Sequence, residues 1–293
     1  MRAEPRARAD LLAVAARGVL YALLALAAAW YLVPLAMMLL NSVKPLEEIQ
    51  RGNMVFLPET FTLAPWRAAW STAQIGVDPT GLKPYFLNSI AMVVPAVAIS
   101  TLLGAVNGYV LTQWRFRGDS LVFGLLLFAC FIPFQIVLIP MARTLGALHL
   151  AGTVMGLILV HVVYGIGLTT LFFRNAYASF PRELVRAAQI DGAGFFAIFS
   201  RIVLPSSLPI VVVTVIWQFT SIWNDFLFGA SFADSDSQPV IVALNNLVNA
   251  SQGVKEYNVH FAAAIIAGLP TLVVYVLAGR YFVRGLLAGS VKG

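Results

Sequence analysis

The sequence predicts an all-α, polytopic membrane protein with six transmembrane helices and both termini in the cytoplasm. Three observations carry that expectation. The 293 residues are 60% hydrophobic and 11% charged, against roughly 45–50% and about 25% in soluble domains. Six stretches free of Asp, Glu, Lys and Arg exceed 20 residues: 18–43, 84–114, 120–142, 144–173, 202–224 and 257–279. Each holds the roughly 20 apolar residues of a spanning helix and is too long for a barrel strand. With the N-terminus inside, cytoplasmic segments receive 13 of the 19 basic residues, the bias that orients membrane proteins. The net charge of +6 is therefore a topology signal, and no nucleic-acid partner is expected.

Taken in order, residues 1–17 are a cytoplasmic tail and 18–41 the first span. Its apolar run from Gly18 to Leu40 is too long for a signal-peptide core, so it reads as a retained anchor. The outer segment 41–83 contains Pro45, Pro58, Pro65 and Pro79 with Trp66 and Trp70. The prolines exclude one long helix, and the tryptophans suit short pieces at headgroup depth. Further spans are expected at about 84–111, 120–141, 153–173, 203–225 and 260–281, with a tail at 283–293. Gly104 and Gly108 are spaced for close helix packing. Pro95, Pro133, Pro209 and Pro270 fall within spans and should kink or break them. The stretch 237–254 lacks charge but carries Gln238, Asn245, Asn246 and Asn249, so it belongs to an outer segment.

The longest cytoplasmic loop, 174–201, is not merely polar. Pro181 suits a helix start, Glu183 sits near the positive end of the dipole, and Leu184, Val185 and Ala188 share a face. Gly192 and Gly194 then interrupt, Asp191 is placed to cap the next helix, and Phe195, Phe196 and Phe199 form a second apolar face. The expectation is a short exposed helix, a sharp turn, and a helix re-entering the membrane at Pro205. Such a helix either docks in a partner's groove or lies on the membrane interface.

Chemistry of other kinds is poorly represented. None of the four lysines precedes Ser or Thr, so a Walker A motif is missing. His149, His161 and His260 have no metal-ligand spacing, and His161 reads as a packing hydrogen-bond partner. Cys130 reads as a buried, inert thiol. The spans contain no paired carboxylates, which argues against proton coupling. The fifth span is polar toward its outer end, with Trp217, Gln218, Thr220, Ser221, Trp223, Asn224 and Asp225. That mixture of hydrogen-bonding groups and aromatics fits a sugar pathway and equally fits helix–helix hydrogen bonding with an aromatic belt. Asn107 and Gln135 are further candidates of the same kind.

The loop resembles the EAA loop of ATP-binding-cassette importer permeases: Glu-Ala-Ala, three residues, Gly, nine residues, Ile-x-Leu-Pro. Here stand Arg186-Ala187-Ala188, Gly192 and Ile202-Val203-Leu204-Pro205 at that spacing, with Arg186 in the usual Glu position. Asn88-Ser89-Ile90, Arg115-Phe116-Arg117-Gly118, Trp223-Asn224-Asp225-Phe226 and the segment from Tyr281 to Gly293 are similar to the carbohydrate branch, specifically the maltose-type second permease. The similarity runs from about residue 20 to the C-terminus.

This resemblance implies a type I importer permease fold in a bacterial inner membrane. It implies a second six-span permease, two cytoplasmic ATPase subunits and an extracytoplasmic sugar-binding protein as partners, besides membrane lipids. ATP and magnesium would be bound by the ATPase subunits, with no cofactor in this chain and no catalytic residue. Glu183, Arg186, Ala187, Ala188, Asp191, Gly192, Ile202, Leu204 and Pro205 would couple to an ATPase subunit. Gly289, Ser290, Val291 and Lys292 would reach toward the ATPase interface. Overall similarity points to a monosaccharide such as glucose, with oligosaccharides and polyols open. Permeases for peptides or amino acids are the near alternative, and an ion-coupled secondary transporter the remote one.

Overall fold

The computed structural model describes residues 4–114, 116–249 and 255–290; side chains are described from Ala13 to Gly279 within those limits. The described chain is helical, apart from turns and two isolated β-bridges, Ile75–Asp78 and Gly152–Ala233.

Helix α1 (Glu4–Asn41) is followed by two short helices, α2 (Leu46–Gln50) and α3 (Ala64–Ser71). Pro45 precedes α2 and Pro65 lies in the first turn of α3, where the missing N–H is not needed. Then come α4 (Lys83–Gln113), α5 (Asp119–Cys130), α6 (Phe134–Ala147) and α7 (Val154–Ala178). The loop region holds α8 (Arg182–Ile190), α9 (Phe195–Ile198), a π-helical turn (Phe199–Val203) and α10 (Leu204–Ser206). The chain ends with α11 (Leu208–Trp223), α12 (Leu227–Phe232), α13 (Val240–Val248) and α14 (Tyr257–Ser290).

Among the described residues four helices are long and apolar enough to cross a membrane: Ala13–Asn41 of α1, α4, α7, and Tyr257–Gly279 of α14. Counting each of two bent pairs as one span brings the total to six. The third span, expected to kink or break at Pro133, is bent by 101° between α5 and α6, because Pro133 offers no N–H and its φ of −58° and ψ of 124° leave the helical region. The expected fifth span is bent by 80° between Ser206 and Leu208, next to Pro205 and Pro209. Here Ser206 Oγ donates to Ile202 O at 2.6 Å, and Ser207 Oγ donates to Val203 O, satisfying carbonyls around the break. Pro95 and Pro270, by contrast, lie inside continuous helices.

At the centre α4 crosses α7. A Cβ on Gly108 would stand 2.7 Å from Phe173 Cβ and 2.8 Å from Arg174 N, and one on Gly104 would press into Thr169. Hydrogen only at these positions lets α7 lie directly on the α4 backbone. Thr169 Oγ1 then donates across the seam to Ser100 O at 2.9 Å. The seam is shared with α11, whose Gln218 Nε2 donates to Ser100 Oγ at 2.9 Å.

One end of the molecule is organised by a buried lysine. Lys44 is fully buried and donates from Nζ to Asn53 O (2.7 Å) and Phe56 O (2.8 Å). Asn258 Nδ2 of α14 donates to Lys44 O at 3.0 Å. Burial would raise the Glu48 carboxyl, but the Glu59 and Thr60 amides, Lys44 and Asn53 outweigh it and hold it below its usual value. At the start of α4, Asn88 Nδ2 donates to Asp236 O (2.7 Å), and Ser89 Oγ accepts from Val240 N (2.8 Å). These bonds fasten the entry to α13.

Replacing Gly108 with Val is expected to lower the melting temperature of the detergent-solubilised protein, since overpacking costs about 1–3 kcal/mol or more. Gly124→Ala, where an added Cβ meets nothing within 4 Å, should leave it unchanged. Equal melting of the two variants would contradict the close crossing.

Candidate functional site

Two arrangements concentrate the residues singled out by the sequence. The first is the segment from Arg182 to Pro205. Helix α8 rests on a cluster formed by Ala105 and Tyr109 of α4, Phe173 and Tyr177 of α7, and Ile198, Phe199 and Val203. Tyr109 packs against Phe195 and Phe199 at centroid distances of 5.0 and 5.4 Å, and Trp114 against Phe195 at 5.4 Å. Gln113 Nε2 donates to Tyr177 O at 3.2 Å, tying the ends of α4 and α7 together beneath the segment.

Only Val185 and Ala188 of α8 enter this pedestal. Burying Val185 contributes about 1.5–3 kcal/mol. Leu184, expected on the same face, is 51% exposed, and Ile190 and Phe196 are 86% and 76% exposed. Val185 and Ala188, three apart, point inward, so Leu184 is turned out with Glu183, Arg186 and Ala187, all exposed. Asp191 does not cap the following helix. It is the C-cap residue of α8, where its backbone N–H donates to Ala187 O, and Gly194 is the N-cap of α9. Gly192 makes the turn with φ +80° and nothing within 4 Å of an added Cβ. It is there for its backbone, not for space. Ile202 and Leu204 are half-buried and Pro205 is exposed, just past the π-helical turn.

The second arrangement is a cavity of about 230 Å³ between α6, α7, α11 and α12. Trp217, Gln218 and Ser221 line it, together with His161, Asp225 and Phe228. Of these, Gln218 is buried and tied to Ser100. Thr220 and Asn224 are not in the lining; Asn224 Nδ2 donates to Thr220 O (2.9 Å) and to Thr271 Oγ1 of α14 (3.4 Å). Asn107 lies apart and donates to Thr170 Oγ1 at 3.2 Å. The structure thus brings Trp217, Gln218 and Ser221 together and leaves Asn107, Thr220 and Asn224 in helix contacts. Gln135 is not in the lining either.

Asp225 was expected in the polar outer group of the fifth span and lines the cavity, whereas His161 was not among the expected lining residues. His161 was expected to make a packing hydrogen bond, but its Nε2 has no partner among the described residues. Asp225 Oδ2 stands 3.9 Å away and accepts from Phe228 N (3.0 Å) and Gly229 N (3.3 Å). Cys130, expected buried, is exposed. Gly289 and Ser290 form the end of α14, and Val291 and Lys292 lie outside the described residues. Among the described residues no group of three or more His, Cys, Asp and Glu side chains could hold a metal ion.

A family model described as binding-protein-dependent transport system inner membrane component matches residues 85–287. The chain belongs to that family, and is a multi-pass inner-membrane subunit of a transporter. It is 37% identical over 278 residues to a probable ABC transporter permease protein of Pyrococcus horikoshii, covering 94% of this chain and 98% of the relative. It is 32% identical to the xylose/arabinose import permease protein of Haloferax volcanii, covering 91% and 90% of the two chains. In fold it is similar to a chain in the crystal structure of a bacterial ABC transporter involved in import of the acidic polysaccharide alginate. That match has a TM-score of 0.78 and 19% identity, with 94% and 98% of the chains covered.

An unpaired charge placed at the pedestal should unseat α8. Val185→Asp is expected to speed trypsin cleavage at Arg182 and Arg186 about tenfold or more, because desolvating a charge costs several kcal/mol. Membrane insertion should be unaffected. An unchanged cleavage rate would show that α8 does not depend on the cluster.

Proposed function

We propose that this chain forms half of the translocation pathway of an ATP-driven, binding-protein-dependent sugar importer, and that α8 couples it to an ATPase subunit. In this reading the chain has six spans, two of them bent, and both termini lie in the cytoplasm. A second six-span permease completes the pathway. Two cytoplasmic ATPase subunits bind ATP and magnesium and perform the hydrolysis, and an extracytoplasmic binding protein delivers the sugar. This chain itself is not catalytic. The described side chains from Ala13 to Ala36 of α1 are all exposed, which suits a helix covered by lipid or by the second permease.

The observation that carries the coupling role is the division of α8 into two faces. Val185 and Ala188 join the apolar cluster that includes residues of α4 and α7, while Leu184, Ala187 and Ile190 are left uncovered, as is Phe196. An apolar surface of that kind on a short helix is what a groove binds. ATP binding would close the ATPase pair, carry α8 with it, and rock the two permeases between inward- and outward-facing states. A ligand shifts such states only by binding them unequally. A sugar as the solute is supported by the xylose/arabinose import permease among the relatives and by the aromatic and polar lining of the cavity. The sequence similarity extends this to a monosaccharide such as glucose.

Gly192→Val tests the coupling. The left-handed backbone at Gly192 disfavours a β-branched residue by about 1–2 kcal/mol, with no steric neighbour to confuse the result. In the purified importer, stimulation of ATP hydrolysis by the loaded binding protein should fall severalfold, with the ATPase subunits still co-purifying. Full stimulation would contradict the coupling role of the turn.

A further inference from the structure

Two of the larger cavities among the described residues are unsuited to a polar solute. One of about 500 Å³ is lined by Leu63, Trp66, Trp70, Phe86 and other apolar side chains with Arg67 alone charged, and one of about 410 Å³ by residues such as Leu126, Ile132, Val163 and Ile166. The cavity of about 230 Å³ between α7 and α11 is different in kind. It falls below the roughly 300–1,000 Å³ of sites for drug-sized ligands, and admits a ring-sized unit rather than a long chain.

Its polar groups are held in place before any solute arrives. His161 is 5% exposed, and its Nε2 is buried without a partner. Leaving such an atom unpaired is costly enough that buried polar groups are nearly always bonded. The Asp225 carboxylate is fixed by two amide donors at the start of α12. The separation of 3.9 Å between Nε2 and Oδ2 is too long for a direct hydrogen bond. It is easily bridged by one hydroxyl oxygen, at about 2.8 Å from each atom. A hydroxyl both donates and accepts, so it can serve the carboxylate and the imidazole together. Around the pair stand aromatic side chains. Phe228 meets the His161 ring edge-on at 5.6 Å and packs against Tyr164 at 4.9 Å, and Phe134 and Trp217 complete the wall.

We infer that His161 and Asp225 form a hydroxyl-binding subsite of this subunit, and that it accepts neutral sugars or polyols and excludes acidic ones. This rests on the sugar-import reading above. The carboxylate accepts a hydrogen bond from a hydroxyl, Nε2 meets the same or the neighbouring oxygen, and the aromatic rings face the C–H surface of the ring. A solute bearing its own carboxylate would place like charges together in a poorly solvated space, which is strongly unfavourable.

The test uses the assembled importer in lipid nanodiscs, with Cys130→Ser and Ser221→Cys introduced so that a maleimide reports on position 221 in the cavity. Glucose, xylose and maltose are the neutral probes and glucuronate the acidic one. A neutral probe should slow labelling about tenfold, and glucuronate should not. His161→Leu should abolish the protection, and His161→Gln, which retains an N–H donor, should restore part of it. Asp225→Asn should allow glucuronate to protect. Hydrolysis of ATP by each variant complex reports that it is assembled. If wild-type importer takes up a neutral sugar but His161→Leu leaves protection intact, or glucuronate protects equally well, the subsite is overturned while the sugar reading stands. If no sugar-loaded binding protein stimulates the wild-type complex, the sugar reading falls and the subsite with it.

Discussion

The close crossing of α4 and α7 is the constraint on which the rest of the molecule depends. Gly104 and Gly108 present bare backbone to Thr169, Phe173 and Arg174. The reciprocal contact is Gly165 of α7, which lies under Gln218 and Ser100. In hydrocarbon there is no hydrophobic drive to bring two helices together, so packing and interhelical hydrogen bonds must do it. Three glycines and the Thr169–Ser100–Gln218 bonds supply both. The same pair of helices then supports two separate features. Tyr109, Phe173 and Tyr177 form the pedestal of α8, and His161 with Gly165 borders the cavity.

That shared support gives the proposed coupling a physical route. His161 and Tyr177 lie on one continuous helix, separated by about 24 Å at 1.5 Å per residue. A dense aromatic cluster resists gradual deformation and moves as a unit or switches between discrete packings. Displacement of α8 would therefore be carried by α7 and α4 toward the cavity wall instead of being absorbed in the loop. The π-helical turn, whose Phe199 and Val203 belong to that cluster, and the bend at Ser207 lie between α9 and α11.

Much of the helical layout was legible in the sequence, because the length of a charge-free stretch is set by the membrane itself. The long helices α4, α7 and α14 fall in charge-free stretches, and the glycine seam follows from the four-residue spacing of Gly104 and Gly108. What the sequence did not reveal were directions and partners. Leu184 and Val185 are neighbours on a helix, and which of them faces the protein depends on where α4 and α7 happen to lie. Pro133 and Pro209 mark sharp breaks whereas Pro95 and Pro270 do not, a difference decided by neighbouring hydroxyls and packing. The fifth-span residues fell into two sets, Trp217, Gln218 and Ser221 toward the cavity and Thr220 and Asn224 toward helix contacts. His161 drew no attention beside a carboxylate 64 positions away in the chain, since nothing local reports that α7 and α11 bring them together. Asp225 stands among the polar residues of the fifth span in the sequence, but its anchoring of α12 is visible only in the fold.

The central claim, that α8 and the α4–α7 pair form one body linking the ATPase side to the pathway, is tested most directly by a distance. In the assembled importer with Cys130→Ser, spin labels introduced by Ala187→Cys on α8 and Leu102→Cys on α4 would be followed by pulsed electron resonance with and without ATP. Both positions are exposed. The account predicts a single narrow distance that shifts by less than about 2 Å, the scale separating rigid behaviour from rearrangement. A larger shift, or a second distance appearing with ATP, would show that α8 moves on its own and that the pedestal transmits nothing.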